Sequence, residues 1–324
     1  MDLKNKNVLV TGAAGFIGSH LSKQLLESGA RVWGVDCLTD YYSVRLKKQN
    51  LSGLLESENF EFLKKNILEL DLPELLPDFD AVFHQAAQAG VRASWGSEFN
   101  EYIDQNIRAT QYLLEGIKNY APDLPMVMAS SSSVYGIPPE MPMREDMKQN
   151  PHSPYGVTKL AAENLALLYG RNFQLKTIAL RYFTVYGPLQ RPDMAFTRFL
   201  SWIDRGEKID IYGDGSQSRD FTFVSDIVAA NIQTLEAEAY GEVFNVGGGE
   251  RASLNQIFDY MEEITGKPVN KNYMEFKKGD VPHTFADTTR IRTKTEWRPA
   301  VGLRDGLAEQ WQWVRQNDIL PEVI

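Results

Sequence analysis

The sequence predicts an α/β protein: a doubly wound parallel sheet followed by a smaller C-terminal α/β domain. Three observations predict it. Short apolar runs alternate with helical patterns up to about residue 183. A glycine-rich turn joins the first apolar run to the first helix. Beyond it, Pro188, Pro192, Gly213, Gly215, Gly247, Gly248, Gly249, Pro268, Gly279 and Pro282 cut the chain into shorter pieces. Strands alternating with helices build a parallel sheet covered on both faces.

Asn7-Val8-Leu9-Val10-Thr11 reads as a buried strand. Gly12-Ala13-Ala14-Gly15-Phe16-Ile17-Gly18 follows at once, and a helix runs on to Ser28 with Gly29 as its cap. Arg31 to Val35 is the second strand and ends at Asp36. Phe60 to Lys65 is the third, followed by Asn66 and Ile67; Ala81 to His84 is the fourth, followed by Gln85-Ala86-Ala87. A helix spans Tyr102 to Asn119, Met126 to Ser130 is the fifth strand, Tyr155 to Arg171 a helix and Thr177 to Tyr182 the sixth strand. Segments near 219–246 are expected to return to the large domain, which divides the chain into 1–183 with those returns and 184–324. Leu303 to Val314 is an amphipathic helix whose Trp311 and Trp313 read as packing residues.

The spacing G-x-x-G-x-x-G lets backbone amides approach a pyrophosphate at a helix N-terminus. Asp36, at the end of the next strand, can accept hydrogen bonds from both ribose hydroxyls and would repel a 2′-phosphate, so NAD is favoured over NADP. The opening is therefore Rossmann-like. The expected cofactor residues are Gly12, Gly15, Phe16, Ile17, Gly18 and Asp36, then Asn66 and Ile67 near the adenine, and Gln85, Ala86 and Ala87 at the fourth strand end.

Composition narrows the class. The chain has 324 residues, 43% of them hydrophobic, enough for one large domain or two smaller ones. Thirty-four Lys and Arg against 43 Asp and Glu leave a net charge of -9, which gives no support to nucleic-acid binding. Cys37 is the one cysteine, so no internal disulfide forms and a reducing compartment is expected. There is no 18-residue apolar run and no signal-like segment behind Met1 to Lys6, so the expectation is a cytoplasmic protein with no membrane partner. His20, His84, His152 and His283 lack metal-ligand spacing, and no metal site is expected.

The chemistry is expected between Ala129 and Lys159. Tyr155 and Lys159 are four residues apart and share one helix face. A nearby ammonium favours the phenolate of a tyrosine whose ordinary pKa is about 10. Ser131, at a strand end facing that helix, can bind the same substrate oxygen. Such a trio takes a proton from a secondary alcohol while a nicotinamide takes the hydride. Alone, a Tyr and a Lys at this spacing are common on helices; the glycine turn and Asp36 change the reading.

With these residues in hand, the chain resembles the extended short-chain dehydrogenase/reductase family over nearly its whole length. Within that family it is similar to nucleotide-sugar epimerases, and among these to the UDP-glucuronate 4-epimerases. Five segments carry the finer resemblance: Asp40-Tyr41-Tyr42-Ser43-Val44-Arg45-Leu46-Lys47, Gln88-Ala89-Gly90-Val91-Arg92, Phe183-Thr184-Val185-Tyr186-Gly187-Pro188, Arg191-Pro192-Asp193-Met194-Ala195 and Gly279-Asp280-Val281-Pro282. The resemblance implies NAD-dependent inversion at C4 of a UDP-sugar, with Tyr155 as base, Lys159 also contacting the nicotinamide ribose, and Ser131 as the family's catalytic Ser/Thr. It implies Arg219 at the pyrophosphate, the alternative being an ion pair with Asp220 or Asp226. Arg191 and Thr197 would lie on the uracil and sugar side. It also implies a homodimer through the Tyr102–Asn119 and Tyr155–Arg171 helices, although apolar positions such as Leu113, Leu114, Ala162 and Leu165 can equally face the sheet.

Three departures stand out: Asn66 where an Asp is usual, Gln85 in place of a common Leu, and no second phosphate arginine between Gly279 and Asp287. Related dehydratases carry Asp-Glu, and decarboxylases a Glu at the second position, where this chain has Ser132 and Ser133. Two serines cannot supply the acid and base of a dehydration. Ser132, Ser133 and Thr184 are instead expected to hold a substrate carboxylate, with Arg191 behind them and Arg92 a weaker candidate. The alternatives are a UDP-glucose or UDP-N-acetylglucosamine 4-epimerase, and a non-catalytic NAD-sensing protein. The last predicts damage to Tyr155, Lys159 or Ser131, and all three are intact.

Overall fold

A computed structural model describes residues 1–275, 281–317 and 319. The strands of the large sheet are β1 (Asn7–Thr11), β2 (Arg31–Val35), β3 (Phe60–Leu63), β4 (Ala81–His84), β5 (Met126–Ser131), β6 (Thr177–Tyr182) and, late in the chain, β10 (Val243–Val246). They lie in the order β10-β6-β5-β4-β1-β2-β3, every neighbouring pair parallel. All six residues of β5 and of β6 are buried, because helices cover both faces of a parallel sheet. The chain builds outward from β1 to β3, then crosses back to β4 on the other side of β1. That reversal opens a crevice beyond the strand ends Thr11 and His84.

The helices beside these strands are α1 (Phe16–Glu27), α2 (Val44–Ser52), the short α3 (Leu72–Leu75), α4 (Phe99–Tyr102), α5 (Ala109–Tyr120) and α6 (Pro154–Phe173). Leu21 and Leu25 of α1 pack on one face of the sheet with Val8 and Val10. Leu113 and Leu114 of α5 and Ala162 and Ala166 of α6 pack on the other with Leu9 and Val82. Leu113, Leu114 and Ala162 therefore face the sheet, and Leu165 packs against the same cluster. The helix expected over Tyr102 to Asn119 is longer and is interrupted: Ile103–Arg108, between α4 and α5, is π-helical. Asn106 lies inside this segment, and its side chain leaves the helix to bind the backbone of Gln88.

In the second half, β7 (Thr184–Tyr186) pairs in parallel with β9 (Ser218–Phe223), and β11 (Arg251–Ser253) pairs antiparallel to β9. β8 (Lys208–Tyr212) pairs with β12 (Asn270–Met274). The helices are α7 (Ala195–Arg205), α8 (Val224–Glu236), α9 (Leu254–Thr265), α10 (Thr289–Lys294) and α11 (Leu303–Asn317). The return to the large sheet begins at Val224, later than the 219 expected. From there α8 packs on α1, and β10 pairs with β6. The β9 residues stay with the small sheet because Phe221 and Phe223 stack on Tyr186 and Phe196. Trp311 is buried in α11, and Trp313 packs partly against the same core.

Candidate active site

The glycine turn is shaped by close approach. Gly12 has φ +73°, and a Cβ there would lie 2.8 Å from the Ala86 nitrogen. A Cβ on Gly18 would lie 2.1 Å from the Gly12 carbonyl oxygen, so α1 can begin beside the turn only with hydrogen at this position. Gly12 and Ala13 donate to the Val35 carbonyl at 2.7 and 3.2 Å. Gly15 is the N-cap of α1, which has no side-chain cap and no acidic residue in its first turn. The amides and dipole at such a helix end favour an anion there. Phe16 is buried in the core and Ile17 packs partly against it, so both support the turn from behind.

Asp36 lies one strand over, its carboxylate accepting from Leu38 at 2.8 Å and Ala14 at 3.2 Å. Burial pushes its pKa up, against the pull of those amides and of Lys47. Lys47 was not foreseen. It is buried, donates to the Thr39 carbonyl and hydroxyl at 2.7 and 2.9 Å, and lies over the Tyr42 ring. Its only sequence signal was its place in the Asp40–Lys47 segment. Asn66 is an N-cap: it accepts from Leu68 and forms a capping box with Glu69, ahead of buried Ile67. The Gln85 side chain is bonded on both sides of its amide. Its amide donates to Asn231, and its carbonyl accepts from the Tyr182 hydroxyl. Ala86 donates to the Thr11 hydroxyl at 3.2 Å, and Ala87 is half-buried beside it.

At the other end of the crevice, α6 is started by Ser153, which accepts from Gly156, with Pro154 in the first turn. A Cβ on Gly156 would lie 2.6 Å from the Ser133 carbonyl, so the helix meets the turn after β5 at close range. Ser131 ends β5 and accepts from Ser133 at 3.1 Å. Burial pushes the Tyr155 phenol up, while a hydrogen bond with Ser131 and the Arg191 charge pull it down. Lys159 is 4% exposed. Burial brings its ammonium down to about 8, with Glu163 opposing. A buried hydrogen-bond chain joins the two ends. Thr11 meets His84 at 2.8 Å, His84 meets Thr110 at 3.0 Å, and Thr110 donates to the Asn106 carbonyl at 2.6 Å. Asn106 then donates to Thr158, the neighbour of Lys159, at 2.9 Å. Asn106 was missed because only an asparagine within an apolar helix pattern marked it.

The half-buried hydroxyls of Ser132, Ser133 and Thr184 make no hydrogen bond among the described residues. Arg191 is held bidentately by Asp193 at 2.8 and 2.9 Å and lies over the Tyr41 ring. Tyr102 meets Tyr155 edge to face at 6.4 Å and donates to the Ala89 and Gly90 carbonyls. Three of the resemblance segments thus converge beside Tyr155. Arg219 donates to the Ser218 and Pro282 carbonyls, each at 3.0 Å. Asp220 accepts from Gly248 and Ala286, and Asp226 from Ala300 and Val301. Arg92 is exposed and lies over the Tyr212 ring. Thr197 is fully buried, and its hydroxyl bonds with Gln190 and Gln310. These bonds brace the loop after β7. Asn245 is also structural, bonded to Tyr135, Met143 and Asp287. Of the fifth segment, Gly279 and Asp280 lie outside the described residues.

Residues 8–247 match the NAD dependent epimerase/dehydratase family. The chain belongs to that family. It is 41% identical to the UDP-glucuronate 4-epimerase of Thermodesulfobacterium geofontis over 95% of this chain and 96% of that one. It is 42% identical to Bacillus subtilis YtcB, described as an uncharacterized UDP-glucose epimerase, over 94% and 96% of the two chains. The crystal structure of Bacillus cereus UDP-glucuronic acid 4-epimerase, in complex with UDP-glucuronic acid and NAD, superposes with a TM-score of 0.92 at 42% identity, covering 96% of this chain and 99% of that one. The glycine cradle, the open end of α1 and Asp36 fit the NAD of an epimerase/dehydratase. Gly18→Ala drives a methyl group into the Gly12 carbonyl, so NAD affinity should fall by at least about tenfold in a titration calorimeter. Unchanged affinity would show that the cradle is not where the pyrophosphate rests.

Proposed function

We propose that this protein is a UDP-glucuronate 4-epimerase, interconverting UDP-glucuronate and UDP-galacturonate. The reading is supported by Ser132, Ser133 and Thr184, whose half-buried hydroxyls make no hydrogen bond among the described residues; the two serines directly follow Ser131, and Thr184 lies two residues after Tyr182, which pairs with Ser131. NAD, when bound, supplies a reversible acceptor for the hydrogen at C4. The chain supplies the rest. Ser131 holds the O4 oxygen, Tyr155 takes its proton, and the ammonium of Lys159 one turn away favours the phenolate. The same phenol returns the proton after the 4-keto sugar has turned over. In this reading 1–183, with the return that begins at Val224, carries NAD, and 184–324 carries the UDP-sugar. Arg219 meets the pyrophosphate with a guanidinium fork.

The carboxylate explains the hydroxyls. Glucuronate oxidised at C4 is a β-keto acid, which loses CO₂ when its carboxylate bond aligns with the carbonyl π-system. Three neutral donors hold a carboxylate out of that alignment without an acid that would assist elimination. Arg191, already paired with Asp193, forms the layer behind them. A second reading, a neutral UDP-sugar as substrate, is favoured by the relation to YtcB. Offering UDP-glucuronate, UDP-glucose and UDP-N-acetylglucosamine separately, and reading products by NMR, separates the two.

Thr184→Val keeps shape and removes one donor to a charged group, a loss of about 1.5–3 kcal/mol. Epimerisation of UDP-glucuronate should slow roughly ten- to a hundredfold, and the decarboxylated pentose should rise as a share of product. Unchanged rate and product ratio would remove Thr184 from the clamp. We also propose a homodimer through α5 and α6, supported by the exposed Tyr120, Val157, Leu168 and Phe173 on these helices. Light scattering at micromolar concentration should give twice the chain mass, and a monomer would exclude this pairing.

A further inference from the structure

Glu163 continues the Tyr155 and Lys159 stripe one turn further along α6. Its side chain is 1% exposed, and that of its partner Arg181 on β6 is 3% exposed. Arg181 donates to the two carboxylate oxygens at 2.6 and 2.9 Å, and Ser130 adds a third bond at 2.6 Å. The guanidinium also donates to the Tyr135 hydroxyl at 2.7 Å and the Glu145 carbonyl at 3.2 Å. Glu163 is thus enclosed by donors. Lys159, its neighbour at i−4, makes no hydrogen bond or ion pair among the described residues.

A Glu and a Lys at this spacing ordinarily pair across the helix surface. The other groups around Lys159 offer it no counter-charge. His84, at the end of β4, is neutral, since burial holds it down near 3. Tyr155 on α6, Tyr135 after β5, Tyr182 on β6 and Tyr102 on α4 are phenols that burial pushes up. Asp104 and Arg108, in the π-helical segment packed on α6, pair with each other at 2.7 Å, as do Glu115 and Lys118 of α5 at 2.6 Å. Glu101 of α4 is exposed. Glu163 is the charge that acts on the lysine, and Arg181 is the group paired with it.

We propose that Arg181 and Ser130 are positioning residues: by closing Glu163 in an ion pair they withhold its carboxylate from Lys159, leaving the ammonium for the nicotinamide ribose and the Tyr155 phenol. The same contact pins α6 to β5 one residue before Ser131. The inference rests on the reading of Tyr155 and Lys159 as the catalytic pair, but its test needs no turnover.

The test is a carbon-13 NMR titration of lysine side chains labelled at Cε in the full chain, with Lys159 assigned by its loss in Lys159→Met. Arg181→Met frees the carboxylate and should raise the Lys159 midpoint by about one pH unit or more, from about 8. Glu163→Gln leaves the guanidinium uncompensated and should lower it by a similar amount. Arg181→Lys keeps the charge and should stay close to the parent. Arg181→Met and Glu163→Gln midpoints that do not move, or that move the same way, overturn the proposal. Breaking a buried pair is costly, so Ser130→Ala, which removes only one donor, is the milder variant. It should raise the midpoint, and an unchanged midpoint in a folded Ser130→Ala protein also overturns the proposal. Failure to epimerise any UDP-sugar would leave these shifts in place and would count only against the functional reading.

Discussion

A buried ion pair between a helix and a strand, Glu163 with Arg181, holds the Tyr155 end of α6 against the sheet. Removing one partner of such a pair typically costs about 3–5 kcal/mol, because the other charge is left without compensation. Its value here is geometric. The register that sets Ser130 opposite Arg181 also sets Ser131 opposite Tyr182, at the end of β5. Ser130 binds Glu163, so the next residue is delivered to the Tyr155 phenol. Gly156 lets α6 settle against the Ser133 carbonyl, which completes the approach.

The cofactor end obeys a different constraint, the exclusion of side-chain volume. Gly12 and Gly18 allow the turn, the start of α1 and the end of β4 to occupy nearly the same space. The two ends are not independent. The chain of bonds from Thr11 through His84, Thr110 and Asn106 to Thr158 runs from the end of β1 to the residue before Lys159. The π-helical segment is the backbone's accommodation of that chain, since Asn106 binds Gln88 and Thr158 at once.

Features written in local sequence were legible before any coordinates. The glycine spacing, the acid at the end of β2 and the Tyr/Lys interval each lie within a few dozen residues, and periodicity placed the six early strands. What escaped was set by partners distant in sequence. Gln85 was legible as a strand-end residue, but not the bond of its side chain to Asn231, 146 residues away. Nor was the bond between Thr197 and Gln310, 113 residues apart. Glu163 gave no signal beyond its interval from Lys159, because Arg181 and Ser130 reach it through the sheet. Phe221 and Phe223 kept β9 in the small sheet through aromatic contacts that periodicity does not encode.

In the proposed reading, Tyr155 and Lys159 at one end and the glycine cradle at the other leave the sugar's C4 between them, with neutral hydroxyls where a dehydratase would need acids. That arrangement suits a reaction that removes hydrogen from C4 and restores it to the same carbon. The most direct measurement follows C4 itself: UDP-glucuronate deuterated at C4 is incubated with the NAD-loaded protein and the products are read by NMR. The account predicts UDP-galacturonate that keeps its deuterium at C4. Product that has exchanged that deuterium with solvent, or no epimer at all, would contradict it.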